Sequence, residues 1–298
     1  MRRSLALCTA GLATMVALAG GCSNDPTQTV SAAATTTTAR ATTTTTASTA
    51  EAASSTTSTP QFADVTTNSD IAWGSAIDQA GATVNLSADS YEPAGDTSTA
   101  RPAVIWIHGG GFAAGERTSP EIIDEATEMA RHGYFGFSID YRLSPVGCGR
   151  VDGECVRAIT QATEDGLAAV RYLRANAAKY RVDPDRIAIA GSSAGAITAL
   201  NVAYSSDPTA PVRAAISISG GALPPGAIGS GDAPTLMFHS KDDHTVPSAW
   251  ATRTADAAHA AGLVADLVMW EGDGHVPYLA HRREILDRTA QFLAEHDS

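Results

Sequence analysis

Arg186-Ile187-Ala188-Ile189-Ala190-Gly191-Ser192-Ser193-Ala194-Gly195 decides how this chain folds. The first five residues are a short apolar run of strand type. The next five read Gly-x-Ser-x-Gly. Ala196 to Ala203 follows as a helix-forming run. A serine between a strand and a helix stands on a sharp, strained turn with its hydroxyl exposed. Side chains at the flanking glycines would collide with the neighbouring strand and helix. A Gly/Ser-rich turn of no chemical interest is the bland alternative, and the pentapeptide alone does not decide between the two.

The rest of the chain does. Val104-Ile105-Trp106-Ile107 is a continuous apolar run, suited to a strand buried on both faces. It ends in His108-Gly109-Gly110-Gly111-Phe112. Glycines after a central strand let backbone N–H groups aim at a developing negative oxygen, as in the oxyanion-hole loop of many esterases and lipases. The amide of Ala194, at the start of the helix, would be the further donor, and one such donor is worth roughly 3–4 kcal/mol. An acid and a histidine should follow in the order Ser, Asp or Glu, His. Pro234 to His239 reads as a buried strand followed by the polar loop Ser240-Lys241-Asp242-Asp243-His244-Thr245-Val246-Pro247. Val264 to Trp270 reads as another, followed by Glu271-Gly272-Asp273-Gly274-His275. His275 would take the proton of Ser193, and the acid would hold its tautomer. Both Asp242 and Asp243 fit that role by position. Asp273 reads as a turn-former. His239 and His244 flank two aspartates, but no His-Glu-x-x-His or paired Cys-x-x-Cys signature accompanies them, and neither metal nor cofactor is expected. Phe112 and Tyr141 are expected to line the acyl or alcohol pocket.

These stretches, with Asp140-Tyr141-Arg142-Leu143 and Asp183-Pro184-Asp185-Arg186-Ile187, resemble the α/β-hydrolase esterases of the hormone-sensitive-lipase-like and carboxylesterase branch. The resemblance runs from about Ile71 to the C-terminus. Ser192 stands where relatives usually carry Glu or Asp, and Ala196 where a glycine is frequent. Carried over by position, it implies Ser193 as nucleophile, Asp243 as acid and His275 as base, with oxyanion N–H groups from Gly110, Gly111 and Ala194. Asp243 is preferred to Asp242 because it stands three residues before Val246-Pro247, as in the resembling loops.

The N-terminus reads as targeting. Arg2 and Arg3 precede a short apolar stretch, Leu5 to Gly21, which resembles the signal peptide of a bacterial lipoprotein. Its end, Leu18-Ala19-Gly20-Gly21-Cys22, resembles a lipobox, with Ala19 where leucine is usual, and implies lipidation of Cys22. Ordinary cleavage at Ala17-x-Ala19 is the alternative. The expected organisation is signal peptide 1–21, linker 22–60 and catalytic domain 61–298. The Thr/Ala/Ser-rich linker has too little apolar surface to offset its ordering entropy. The protein is thus expected to be exported, held at the membrane only by a lipid anchor, or secreted. In an exported domain Cys148 and Cys155 read as one disulfide. A net charge of −12 argues against a nucleic-acid partner.

The expected fold class is α/β: an α/β-hydrolase fold with a mostly parallel central sheet, helices on both faces and no large cap domain. Strands are expected near 72–79, 83–91, 104–107, 134–139, 186–190, 212–219, 234–239 and 264–270. Helices are expected near 121–131, 158–180, 196–204, 248–261 and 278–295. Within 158–180 the residues Ile159, Ala162, Gly166, Val170, Leu173, Ala177 and Tyr180 recur at helical spacing. The alternation implies right-handed crossovers. Between residues 219 and 234 lie only Gly220 to Ala233, too few for a helical cap. The expected activity is hydrolysis of small-molecule or polymer-borne esters with short acyl groups. A peptidase or thioesterase, a lipase, and a non-catalytic binding protein are the alternatives, and the oligomeric state is left open.

Overall fold

The structure, a computed structural model, describes residues 59–223 and 228–296. The expected signal peptide, Cys22 and nearly all of the linker lie outside the described residues. Eight strands form one sheet in the order β1(Val65–Ile77), β2(Thr83–Pro93), β4(Phe135–Ile139), β3(Arg101–Ile107), β5(Val182–Ser192), β6(Ala215–Ile218), β7(Thr235–Ser240) and β8(Ala265–Trp270). β1 and β2 pair antiparallel, as do β2 and β4, and every other neighbouring pair is parallel.

Alternation along the central strands feeds two cores. Ile105, Ile107 and Ile189 pack on one face with Ile159 and Leu173 of α2(Gly153–Ala175), with Ile197 and Leu200 of α4(Ala194–Ala203), and with Ala255 of α5(Ser248–Ala260). Val104, Trp106 and Ala190 pack on the other with Ile122 and Met129 of α1(Pro120–Arg131) and Ile285 and Phe292 of α6(Tyr278–His296). A parallel sheet needs helices on both faces, and its strands therefore lack a polar side.

Several boundaries differ from expectation, and the two largest shifts have a local reason. β1 begins at Val65 and not near Ala72, because its first half is an exposed edge of threonines and polar residues that carries no apolar alternation. The helix expected over 158–180 starts at Gly153, where the Asp152 carboxylate accepts from the N–H groups of Glu154 and Cys155 at 3.1 Å each. It breaks at Asn176 before the single turn α3(Ala177–Tyr180). Its expected apolar face is buried throughout: Ile159, Ala162, Gly166, Val170 and Leu173 on α2, and Ala177 and Tyr180 on α3. Cys148 and Cys155 are disulfide-bonded, with Cα atoms 4.4 Å apart.

Candidate active site

Ser193 sits between β5 and α4 with φ 52° and ψ −117°, a conformation that an L residue rarely adopts. Its N–H donates to Ile218 O at 2.8 Å, which fixes the turn against β6. The flanking glycines are required by close approach. A Cβ on Gly195 would lie 2.0 Å from the Ile107 carbonyl oxygen, and one on Gly191 would lie 2.5 Å from the Gly195 carbonyl carbon. The elbow thus presses directly on the end of β3, where the triple-glycine loop begins. Gly110 has φ 110° and a Cβ there would meet the Ala114 carbonyl oxygen at 2.0 Å. Gly110 and Gly111 line the pocket beside Ser193, and Ala194 is the first residue of α4, whose leading N–H groups have no partner within the helix.

The other two side chains arrive on loops at the carboxyl ends of β7 and β8. Ser193 Oγ is 2.8 Å from His275 Nε2, and His275 Nδ1 is 2.7 Å from Asp243 Oδ2. A carboxylate oxygen can only accept, so Nδ1 carries the proton and Nε2 is free to accept from the serine hydroxyl. Asp243 Oδ1 accepts from the N–H groups of Thr245 and Val246 at 2.8 and 2.9 Å. Asp242 does not reach the imidazole. Its Oδ1 accepts from Ser240 Oγ at 2.7 Å and from the Gly274 N–H at 3.1 Å, and these bonds hold its carboxyl below the usual range. It therefore ties the histidine loop to the end of β7.

Three features of the site were not read from the sequence. His239, expected only as a strand-end residue, is fully buried. Its Nε2 donates to Val246 O at 2.9 Å and lies 3.3 Å from Asp243 Oδ2, while its Nδ1 has no partner among the described residues. Val276, next to His275, has φ 53°, and its N–H donates at 3.1 Å to the Oγ of Ser219, itself at φ 58°. Two non-glycine residues in the left-handed region thus clamp each other beside the imidazole. Asp273 does more than turn the chain: its Oδ2 pairs with His281 Nε2 at 2.9 Å.

Phe112 and Tyr141 do not line the pocket. Both are buried, 1% and 3% exposed. Tyr141 stacks on His108 with ring centroids 4.5 Å apart and donates its hydroxyl to the His108 carbonyl at 3.2 Å. They brace the glycine loop from behind. The charges of the 140–142 stretch are structural: Asp140 pairs with Arg117 at 2.6 Å, and Arg142 with Asp165 at 2.9 Å. Among the described residues no group of three or more His, Cys, Asp or Glu side chains could hold a metal ion.

The pocket over Ser193 has a volume of about 650 Å³ and is walled largely by apolar groups, among them Val276, Tyr278 and Leu279. A serine hydroxyl bonded to an imidazole whose other nitrogen is held by a buried carboxylate can attack an acyl carbon.

The chain matches two family models, BD-FAE over residues 88–216 and Phospholipase/Carboxylesterase over residues 156–294. It is 29% identical over 133 residues to secreted lipase 5 of Gibberella zeae, covering 43% of this chain and 24% of that protein. It is 37% identical over 97 residues to phenmedipham hydrolase of Pseudarthrobacter oxydans, covering 32% of this chain and 18% of that protein. The chain thus spans about a quarter or less of those two relatives. The apo form of esterase 2 from Thermogutta terrifontis superposes with a TM-score of 0.59 at 25% identity, covering 71% of this chain and 90% of that one. The chain has the α/β-hydrolase fold.

Proposed function

We propose that the protein is a serine hydrolase of carboxylic esters that works through an acyl-enzyme. The observation that carries this reading is the continuous Ser193–His275–Asp243 hydrogen-bond chain, 2.8 and 2.7 Å, opening into the pocket. Ser193 Oγ bonds to the acyl carbon as its proton passes to His275 Nε2. The carbonyl oxygen, now negative, is met by the N–H groups of Gly110, Gly111 and Ala194. The imidazolium, stabilised by Asp243, returns its proton to the leaving alcohol oxygen as the C–O bond breaks. Water then repeats the sequence on the acyl-enzyme, releasing the acid and restoring Ser193. The matches to carboxylesterase and lipase stretches support the same class.

A fluorophosphonate probe followed by peptide mapping tests the nucleophile: the adduct is expected on Ser193, and Ser193→Ala should be inactive. An adduct on Ser192 would move the role. A panel of p-nitrophenyl esters, acetylated sugars and peptide anilides tests the class, and faster turnover of anilides would make it a peptidase.

The substrates are esters with short acyl groups on alcohols of any size. Only Ser219 to Pro234 joins β6 to β7, where a cap could be inserted, so no large cap adds apolar surface to bury a long chain at about 0.8 kcal/mol per methylene. Turnover of p-nitrophenyl esters should peak between acetate and butyrate, and a kcat/KM that rises through decanoate would contradict this. The enzyme is exported and anchored through lipidated Cys22, a reading supported by Arg2, Arg3 and the apolar run before it. Cys22→Ala should move it from the membrane fraction to the medium, and an unmodified mature N-terminus at Gly20 would favour plain secretion.

A further inference from the structure

Apart from the proton His275 takes up during turnover, the pocket over Ser193 carries one formal charge. Glu121 lines it, in the first turn of α1, together with Ser119 and Pro120. No Lys or Arg is among the lining residues. Glu121 forms no ion pair among the described residues, whereas its neighbour Asp124 is paired with Arg282 at 2.5 Å. A helix start would by itself attract an anion with a partial charge of about +0.5, and a full carboxylate in that turn reverses the local sign.

The surroundings have the same sign. Arg117, four residues before Glu121, is shared by three carboxylates, Asp70, Asp89 and Asp140. His108, behind the glycine loop, feels this. Burial holds its pKa below the usual value, against the hydrogen bond to the Gly109 carbonyl and the smaller pull of Asp140, Glu121 and Glu116. At long range the chain's net charge of −12 draws cations toward it.

A substrate group that fills this side of the pocket must displace water from Glu121. An apolar group leaves the carboxylate desolvated without a partner, which is unfavourable, and an anion adds repulsion. A cation with an apolar skin satisfies both the charge and the walls formed by Val276, Tyr278 and Leu279. We propose that the pocket selects esters that carry a cation of the quaternary-ammonium kind, with Glu121 as its counter-charge. This rests on the ester-hydrolase reading above.

The test compares butyrylcholine with its uncharged carbon isostere, 3,3-dimethylbutyl butyrate, and with glyceryl monobutyrate, on the full chain. The expected kcat/KM favours the choline ester over the isostere by about two- to fivefold at low salt, the size of a partly exposed charge pair. The preference should shrink as ionic strength rises and fall to near unity in Glu121→Gln, while Glu121→Asp restores part of it. Equal turnover of choline ester and isostere overturns the cation site and leaves the hydrolase intact. So does an unchanged ratio in Glu121→Gln, and so does a preference for the glyceryl ester that Glu121→Gln abolishes, which would make the carboxylate a hydroxyl acceptor. No turnover of any of the three esters overturns the hydrolase reading and this proposal with it.

Discussion

Asp243, on the loop after β7, and Glu125, in the middle of α1, are both buried carboxyl groups, 6% and 1% exposed. Their environments are opposite. Asp243 meets donors on both oxygens: two backbone N–H groups at 2.8 and 2.9 Å on one, His275 at 2.7 Å on the other, with His239 at 3.3 Å. Glu125 has no partner for its Oε2 among the described residues, and its charged neighbours are Glu121 and Asp124. Desolvation, with those two carboxylates adding to it, pushes the Glu125 carboxyl well above the usual range. Burial alone therefore says nothing about the role of a carboxyl group. The donors around it decide whether it can serve as a charged partner or must stay protonated.

The largest test of this contrast is Asp243→Asn. The Asn oxygen would stay on the Thr245 and Val246 N–H groups and its NH2 would face Nδ1, which enforces the wrong tautomer and should lower kcat on the order of 10⁴-fold. Asp242→Asn should cost far less, because Asp242 bonds Ser240 and the Gly274 amide and not the imidazole. Comparable losses in steady-state assays would erase the distinction between the two neighbours.

A smaller loss is expected at His239. Replacing it by Leu leaves the Val246 carbonyl without its donor and removes a polar group facing Asp243. An unsatisfied buried acceptor costs roughly 1–3 kcal/mol. The kcat per site titrated with fluorophosphonate should fall roughly two- to tenfold if half of that reaches the transition state. His239→Gln, which keeps a donor at the same reach, should recover most of it. Equal behaviour of Leu and Gln would mean that His239 only fills space.

The smallest effect on turnover, and one of opposite sign on stability, is expected at Glu125→Gln. The folded pKa is raised above the unfolded one, so the native state binds the extra proton. Stability from this group is complete below the unfolded value, about 4.3, and falls as pH rises from there toward the folded value. The variant removes that decline. Melting curves across the same pH range should show it more stable than the parent at neutral pH, with the gap narrowing toward pH 4. A variant that melts earlier at neutral pH would mean that Glu125 has a donor.

Some of this contrast is readable in the chain. Ile122, Ala126 and Met129 mark the buried face of α1 by their spacing, and Glu125 lies three residues after the first and four before the last. The helical period therefore puts it inside, although the charge invites the opposite reading. Asp243 was picked out by its distance from Val246-Pro247. His239 was not, because a histidine ending a buried strand looks the same whether or not its ring reaches a carboxylate. The clamp between Ser219 and Val276 has no sequence signal, since neither residue type suggests a positive φ. Arg117 gave no signal either: its three carboxylate partners lie at positions 70, 89 and 140, and only the sheet brings them together.

The sequence by itself determined the alternation of strands and helices, the position of the serine turn and the need for glycine around it. Those follow from periodicity and from steric limits that act within a few residues of the chain. Only the tertiary structure decided what Asp242 and His239 bond to, which rings brace the glycine loop and which carboxyl groups are buried with donors or without. These depend on the direction of hydrogen-bonding groups on loops 32 and 82 residues apart, set by the order of parallel strands whose ends converge on one edge of the sheet.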